Sequence, residues 1–266
     1  MIIDFHVHCF SENIVDRAMA ALAQVCDIKP VLDGRVSTAV QAAKDNNINH
    51  IVVLPIATKP SQTTKLNDWA SQIANDESCI ISFGTIHPTN EDWSSEMERI
   101  KVIGLKGIKF HPDYQDFFVD DPCMIPFYRK AAQLGLPVIF HAGRDIGLPP
   151  PFHCTPDRMA KVLEFVPEAT FIASHMGGFD YEDDALKYLV GKNIYLDTAF
   201  SIECLSHERI KSMILAHGAE KILYATDSPW KDQKSGINHV RALGLTKSQE
   251  DLILGENAAK LLGLRF

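Results

Sequence analysis

Imidazoles and carboxylates stand at the ends of apolar runs along this chain. The opening MIIDFHVHCF sets His6 and His8 one residue apart behind strand-forming side chains. Alternate residues of a strand face one side, so Asp4, His6 and His8 are expected on one face and Ile3, Phe5 and Val7 on the other. Two imidazoles on one face near a strand end can grip a metal ion together, although such a pair is a weak signal by itself. The pattern recurs: LKGIKFH ends in Lys109 and His111, PVIFH in His141, TFIASH in His175 and KILYATD in Asp227. Random placement would scatter these residues among helices and strand starts, so their joint position points to one metal site.

Something must bring these ends together. Eight strand-like runs cover residues 2–8, 50–57, 79–87, 105–111, 137–141, 170–175, 193–198 and 221–227. Between them lie segments with apolar residues at helical spacing, such as IPFYRKAAQLG and HERIKSMILAHGA, and a last helix is expected in SQEDLILGENAAKLLGL. Gly135 before Pro137 and Gly218 before the final strand are helix-stop signals. Strict alternation without a linker or a shift in composition implies an α/β fold with a parallel sheet. Eight units fit a (β/α)₈ TIM barrel, one domain over 1–266, better than an open doubly wound sheet. In such a barrel the chemistry sits at the C-terminal strand ends, where these polar residues fall.

Composition narrows the function class. The 266 residues carry 26 Lys and Arg against 34 Asp and Glu, a net charge of −8, which argues against nucleic acid or anionic membranes as partners. A small-molecule substrate is expected, and a homodimer as the commonest symmetric assembly. The six cysteines are scattered without a CxxC pair, the pattern of reduced thiols in a cytoplasmic protein. The first residues lack the features of a secretory signal, and no apolar run reaches the roughly 20 residues of a membrane span. No phosphate-cradling glycine motif is present.

Taken together, DFHVH, GIKFHP, PVIFHAG, ASHMGG, YATDSPW and GENAAKLLGL resemble the amidohydrolase superfamily. The chain is most similar to the branch that groups small TIM-barrel metal-dependent hydrolases with decarboxylases such as aminocarboxymuconate-semialdehyde decarboxylase. The resemblance implies that His6, His8, His141 and Asp227 hold a metal, and that His175 stays near it as an acid or base, or binds a second ion. It also raises a carboxylated Lys109 as a bridge between two metals. Lys109, His111 and Arg144 are therefore candidates for a second metal or for substrate contact, with one tightly held metal favoured.

Three neutral imidazoles and a carboxylate leave an open coordination position, the mark of a catalytic site. Zinc is the first expectation, with manganese, iron or cobalt compatible with the same ligands. Such an ion activates water and polarises a carbonyl, and Asp227 or His175 would move the proton. Asp227 before Ser228 and Pro229 would also suit a helix start, and His175 before Gly177 and Gly178 a tight turn. Arg144, three residues past His141, has a fork of donors suited to a carboxylate. His153 lies in the proline-rich loop GRDIGLPPPFHCTPDR and reads as structural, His87 as a modest pocket candidate, and His50, His207, His217 and His239 as outside the site. The leading expectation is a hydrolase of an amide, ester or lactone of a small anionic molecule. The alternative is a nonoxidative decarboxylase, and the third reading a metal-binding protein without catalysis.

Overall fold

A computed structural model of the chain describes residues 1–26 and 28–264. Its strands are β1 (Ile3–Val7), β2 (His50–Val53), β3 (Ile80–Ser82), β4 (Gly84–Thr85), β5 (Ile108–Phe110), β6 (Val138–Phe140), β7 (Phe171–Ala173), β8 (Tyr195–Asp197) and β9 (Ile222–Leu223). Every strand pairing is parallel, in the orders β1-β2-β3 and β4-β5-β6-β7-β8-β9. β3 and β4 are separated by Phe83 alone and together make up the third expected strand. The ends also meet: Phe5 N donates to Tyr224 O at 2.9 Å, Asp227 N to His6 O at 2.9 Å and His8 N to Ser228 O at 2.7 Å. The result is the expected TIM barrel.

The helices are α1 (Val15–Cys26), α2 (Val36–Asp45), α3 (Thr63–Asp76), α4 (Trp93–Val102), α5 (Ile125–Leu134), α6 (Pro156–Phe165), α7 (Glu182–Tyr188), α8 (Ser201–Cys204), α9 (His207–His217), α10 (Gln233–Ala242), α11 (Lys247–Asp251) and α12 (Asn257–Leu262). α5 stops where expected, at Gly135 with φ 68°. Three helices go beyond one per strand: α1 precedes α2 in the connection after β1, α8 precedes α9 after β8, and α10 follows β9. The last expected helix is broken by a π-turn at Leu252–Glu256. Within that turn a side chain at Gly255 would stand 2.4 Å from the Met1 carbonyl oxygen, so only glycine fits there. Beyond it, Asn257 Nδ2 donates to Ala219 O at 2.7 Å and Ile222 O at 2.8 Å, fastening α12 to the start of β9.

Two apolar clusters bury the barrel. Val53, Phe110, Phe140 and Phe171 pack outward against Met97, Tyr128 and Val162 of the helices, while Ile3, Phe5, Ile139, Ile172 and Leu223 fill the interior above Ala258 and Leu262. β1 breaks the expected alternation. Its register against β2 shifts between Asp4 and Val7, and Phe5 belongs to the interior cluster whereas Val7 belongs to the outer one. Asp4 therefore does not share a face with His6 and His8. A bulge re-aims side chains in this way, sending Asp4 to Thr226 and Gln233 and His6 to the interior. No helix among the described residues is long and apolar enough to cross a membrane.

Candidate metal centre

The strand ends bring His6, His8 and Asp227 together. His6 and His8 Nε2 lie 3.1 Å apart, and Asp227 Oδ1 stands 3.6 Å from the first and 3.4 Å from the second. Donors about 2.0–2.1 Å from a tetrahedral ion stand roughly 3.3–3.4 Å from each other, so the observed spacings bracket those of a shared cation.

Hydrogen bonding fixes which nitrogens face inward. His6 Nδ1 donates to Asp197 Oδ2 at 2.9 Å and His8 Nδ1 to Leu54 O at 3.0 Å. Both partners can only accept, so each Nε2 carries a lone pair when its ring is neutral. Burial, aided by Lys109, holds the His6 imidazole well below its usual range, and hence neutral. Two acceptors thus face each other without a proton between them, beside a carboxylate. The donor set fits a divalent metal.

A second trio adjoins the first. His111, His141 and Asp145 offer donor atoms within 4.8 Å of one another, as do His6, His8 and Asp227. His111 Nε2 is 3.1 Å from Asp145 Oδ2, and the His111 and His141 rings stack at 4.2 Å. His175 links the two trios: its Nδ1 donates to Ala199 O at 3.0 Å, its Nε2 meets His141 Nδ1 at 3.0 Å, and its ring centre lies 5.4 Å from that of His6. With His141 Nδ1 donating to His175, His141 Nε2 is a lone-pair atom, and it is buried without a hydrogen-bond partner among the described residues. Burial first, then His111 and His175, holds the His141 imidazole far below its usual range.

Several of these residues adopt strained backbone. Asp227 has φ 70°, His175 φ 59°, Met176 φ 55° and Phe200 φ 60°, conformations that non-glycine residues seldom adopt and that collect at functional sites. The DSP segment starts no helix; Asp227 O instead accepts from Trp230 N at 2.9 Å.

The other sequence candidates fall in different places. Lys109 is fully buried beneath His6, its Nζ 3.4 Å from His6 Nε2, and burial, partly offset by Asp197 and Asp227, pushes its pKa down to about 8. Arg144 lines the cavity but pairs with Asp180 at 2.8 Å, both side chains nearly half exposed. His153 turns to Pro112 O at 3.1 Å and His87 to Thr89 at 3.0 Å. Two functional residues escaped the sequence reading. Asp145 lies next to Arg144 and pairs with His111. Asp197, the last residue of β8, is buried and also accepts from His175 N at 2.8 Å; its place at a strand end was the signal that could have found it.

Above these groups opens a cavity of about 620 Å³ lined by His8, His111, His141, His175 and Asp227 and by the aromatic rings of Tyr114, Phe179, Phe200 and Trp230. Tyr114 stacks on His111 at 4.1 Å, and Phe200 is held between Phe179 at 5.3 Å and the Lys231 ammonium at 4.4 Å. Potential metal-ligating donors thus form the floor of the cavity and aromatic rings its walls.

The chain is similar to solved structures over nearly its full length. One is 5-carboxyvanillate decarboxylase from Sphingomonas paucimobilis, with 16% identity, 99% of both chains covered and a TM-score of 0.77. Another is 2,6-dihydroxybenzoate decarboxylase from Rhizobium, with 15% identity, 98% of both chains and 0.73. A third is 5-carboxyvanillate decarboxylase from Novosphingobium aromaticivorans complexed with manganese and 4-hydroxy-3-methoxy-5-nitrobenzoic acid, with 14% identity, 99% of this chain and 96% of that one, and 0.78. At such identities the likeness shows the fold. A search of curated proteins finds no match. A family model described as amidohydrolase matches residues 3–264, and the chain belongs to that family.

Proposed function

We propose that this protein is a metal-dependent nonoxidative decarboxylase of an aromatic or similarly planar carboxylic acid. The carrying observation is the cavity, in which aromatic side chains rise directly over converging acceptor atoms. The names of the three structural relatives, all decarboxylases of aromatic acids, add support. The sequence favoured hydrolysis, and these observations favour its alternative.

His6, His8 and Asp227 would hold a divalent metal, with His141 adjoining through His175. Manganese joins zinc as a leading candidate because the Novosphingobium relative is complexed with it. When bound, the ion supplies fixed positive charge that holds the substrate carboxylate and stabilises developing negative charge. The chain's own groups do the rest. Asp197 keeps His6 Nε2 facing the site, and the aromatic walls would flank the substrate ring. His175, its Nδ1 anchored on Ala199 O, would deliver a proton to the carbon that bears the carboxylate from a protonated Nε2, a state that gives up the hydrogen bond Nε2 accepts from His141 Nδ1. A C–H bond forms, the C–C bond breaks with its electron pair kept by the ring, and carbon dioxide leaves.

The test is incubation of the metal-loaded protein with substituted benzoates in deuterated water. One carbon dioxide per turnover and one deuterium on the former carboxyl carbon support the reading. Turnover confined to esters, lactones or amides overturns it in favour of hydrolysis. One observation supports that second reading: Lys109, with a pKa near 8 and 3.4 Å from His6 Nε2, is a suitable amine for carboxylation and hence for bridging two metals.

A further inference from the structure

The cavity is larger than one aromatic ring needs. An apolar space of about 150 Å³ accommodates benzene, whereas this cavity measures about 620 Å³. The extra room has a distinct lining. Ile14, just before α1, and Ala18, Leu22 and Cys26 within it recur every four residues and all line the cavity. At 100° per residue, that spacing confines them to one side of the helix.

These residues do not anchor α1. Val15 and Met19 are its buried members, while Ile14, Ala18, Leu22 and Cys26 are only half-buried. Leu66 and Trp69 of α3 line the same cavity. A helix that seats itself through one pair of side chains and turns a second apolar stripe to an open cavity has a surface that lacks apolar contact. Burial of each methylene against such a surface strengthens binding roughly fourfold.

We propose that the substrate is a carboxylic acid whose body extends beyond a single ring as an alkyl or aryl substituent, and that Ile14, Ala18 and Leu22 with Leu66 and Trp69 receive this extension. The inference rests on the reading that the site takes a carboxylic acid. The acid group meets the histidine floor, and the apolar extension runs along α1.

Calorimetric titration of the metal-loaded protein with 4-alkylbenzoates from methyl to octyl tests it. Affinity should rise roughly fourfold per methylene until the cavity is full, then level off. Leu22→Trp and the milder Ala18→Met should each lower the octyl-to-methyl affinity ratio at least tenfold, with circular dichroism confirming that each variant is folded. Equal affinity along the series, no binding by any member, or an unchanged ratio in both variants would overturn the proposal. Carbon dioxide release is scored separately. A steep series leaves the apolar arm standing even where the substituted benzoates release no carbon dioxide, and their release of carbon dioxide beside a flat series sinks the arm alone.

Discussion

Asp197 Oδ2 accepts a hydrogen bond from His6 Nδ1 at 2.9 Å, with both side chains buried. The other oxygen, Oδ1, accepts from the backbone nitrogens of His175 at 2.8 Å and Ala199 at 3.1 Å. One carboxylate thus sets the tautomer of a metal-facing histidine and the backbone position of the neighbouring acid or base. In Asp197→Asn the amide turns an NH₂ toward either His6 or two backbone N–H groups, and one side must lose its acceptor. Partners of this kind are commonly worth 10- to 100-fold in metal affinity. Competition with a fluorescent chelator should show a loss in that range, and an unaltered dissociation constant would remove Asp197 from its orienting role.

The His6, His8 and Asp227 trio predicts one metal per chain. His6→Ala and Asp227→Ala should each reduce metal content, measured by inductively coupled plasma mass spectrometry, to near zero while far-UV circular dichroism stays close to the parent. Retention of a full equivalent would sink the assignment. Two equivalents in the parent protein would mean that His111, His141 and Asp145 also load, consistent with their mutual spacing, and would strengthen the hydrolytic reading.

His175 separates chemistry from metal binding. In His175→Asn the amide NH₂ can still donate toward Ala199 O, which keeps the turn in place, while Nε2, the atom that would take up and deliver the proton, is lost. Turnover should fall about 10²- to 10⁴-fold with metal content unchanged. Near-normal turnover would exclude His175 as the proton donor.

Much of the barrel was legible because each strand is a short apolar run and most of these runs end in a polar residue, and these signals are local. The bulge in β1 was not. Its direction depends on Thr226 and Gln233, 222 and 229 residues beyond Asp4, which capture the Asp4 carboxylate. The same limit applied to Arg144, whose local sequence suggested a free carboxylate clamp before Asp180, 36 residues away, emerged as its partner. α1 was passed over because strict alternation assigns one helix to each strand, although VDRAMAALAQVC is rich in helix formers. Asp197 obeyed the strand-end rule that selected Asp227, so its omission was a failure to apply a legible signal.

Asp4 gives the protein a pH dependence whose sign can be derived. Burial, opposed by hydrogen bonds from Thr226, Gln233 and the His6 backbone, raises its pKa from 3.8 to about 6. Folding therefore favours the protonated acid. Its stabilising contribution is fully present below about pH 4 and is lost as pH rises through 6, a difference of about 3 kcal/mol as an upper bound. Asp4→Asn removes the titration. Its new NH₂ can donate to Gln233 Oε1, a buried acceptor without a hydrogen-bond partner among the described residues, once the Gln233 amide turns. Thermal melts of chelator-treated protein at pH 4.5 and pH 7 should show the variant gaining on the parent at the higher pH. An equal difference between the two proteins at both values would mean that Asp4 is already ionised within the fold at pH 4.5.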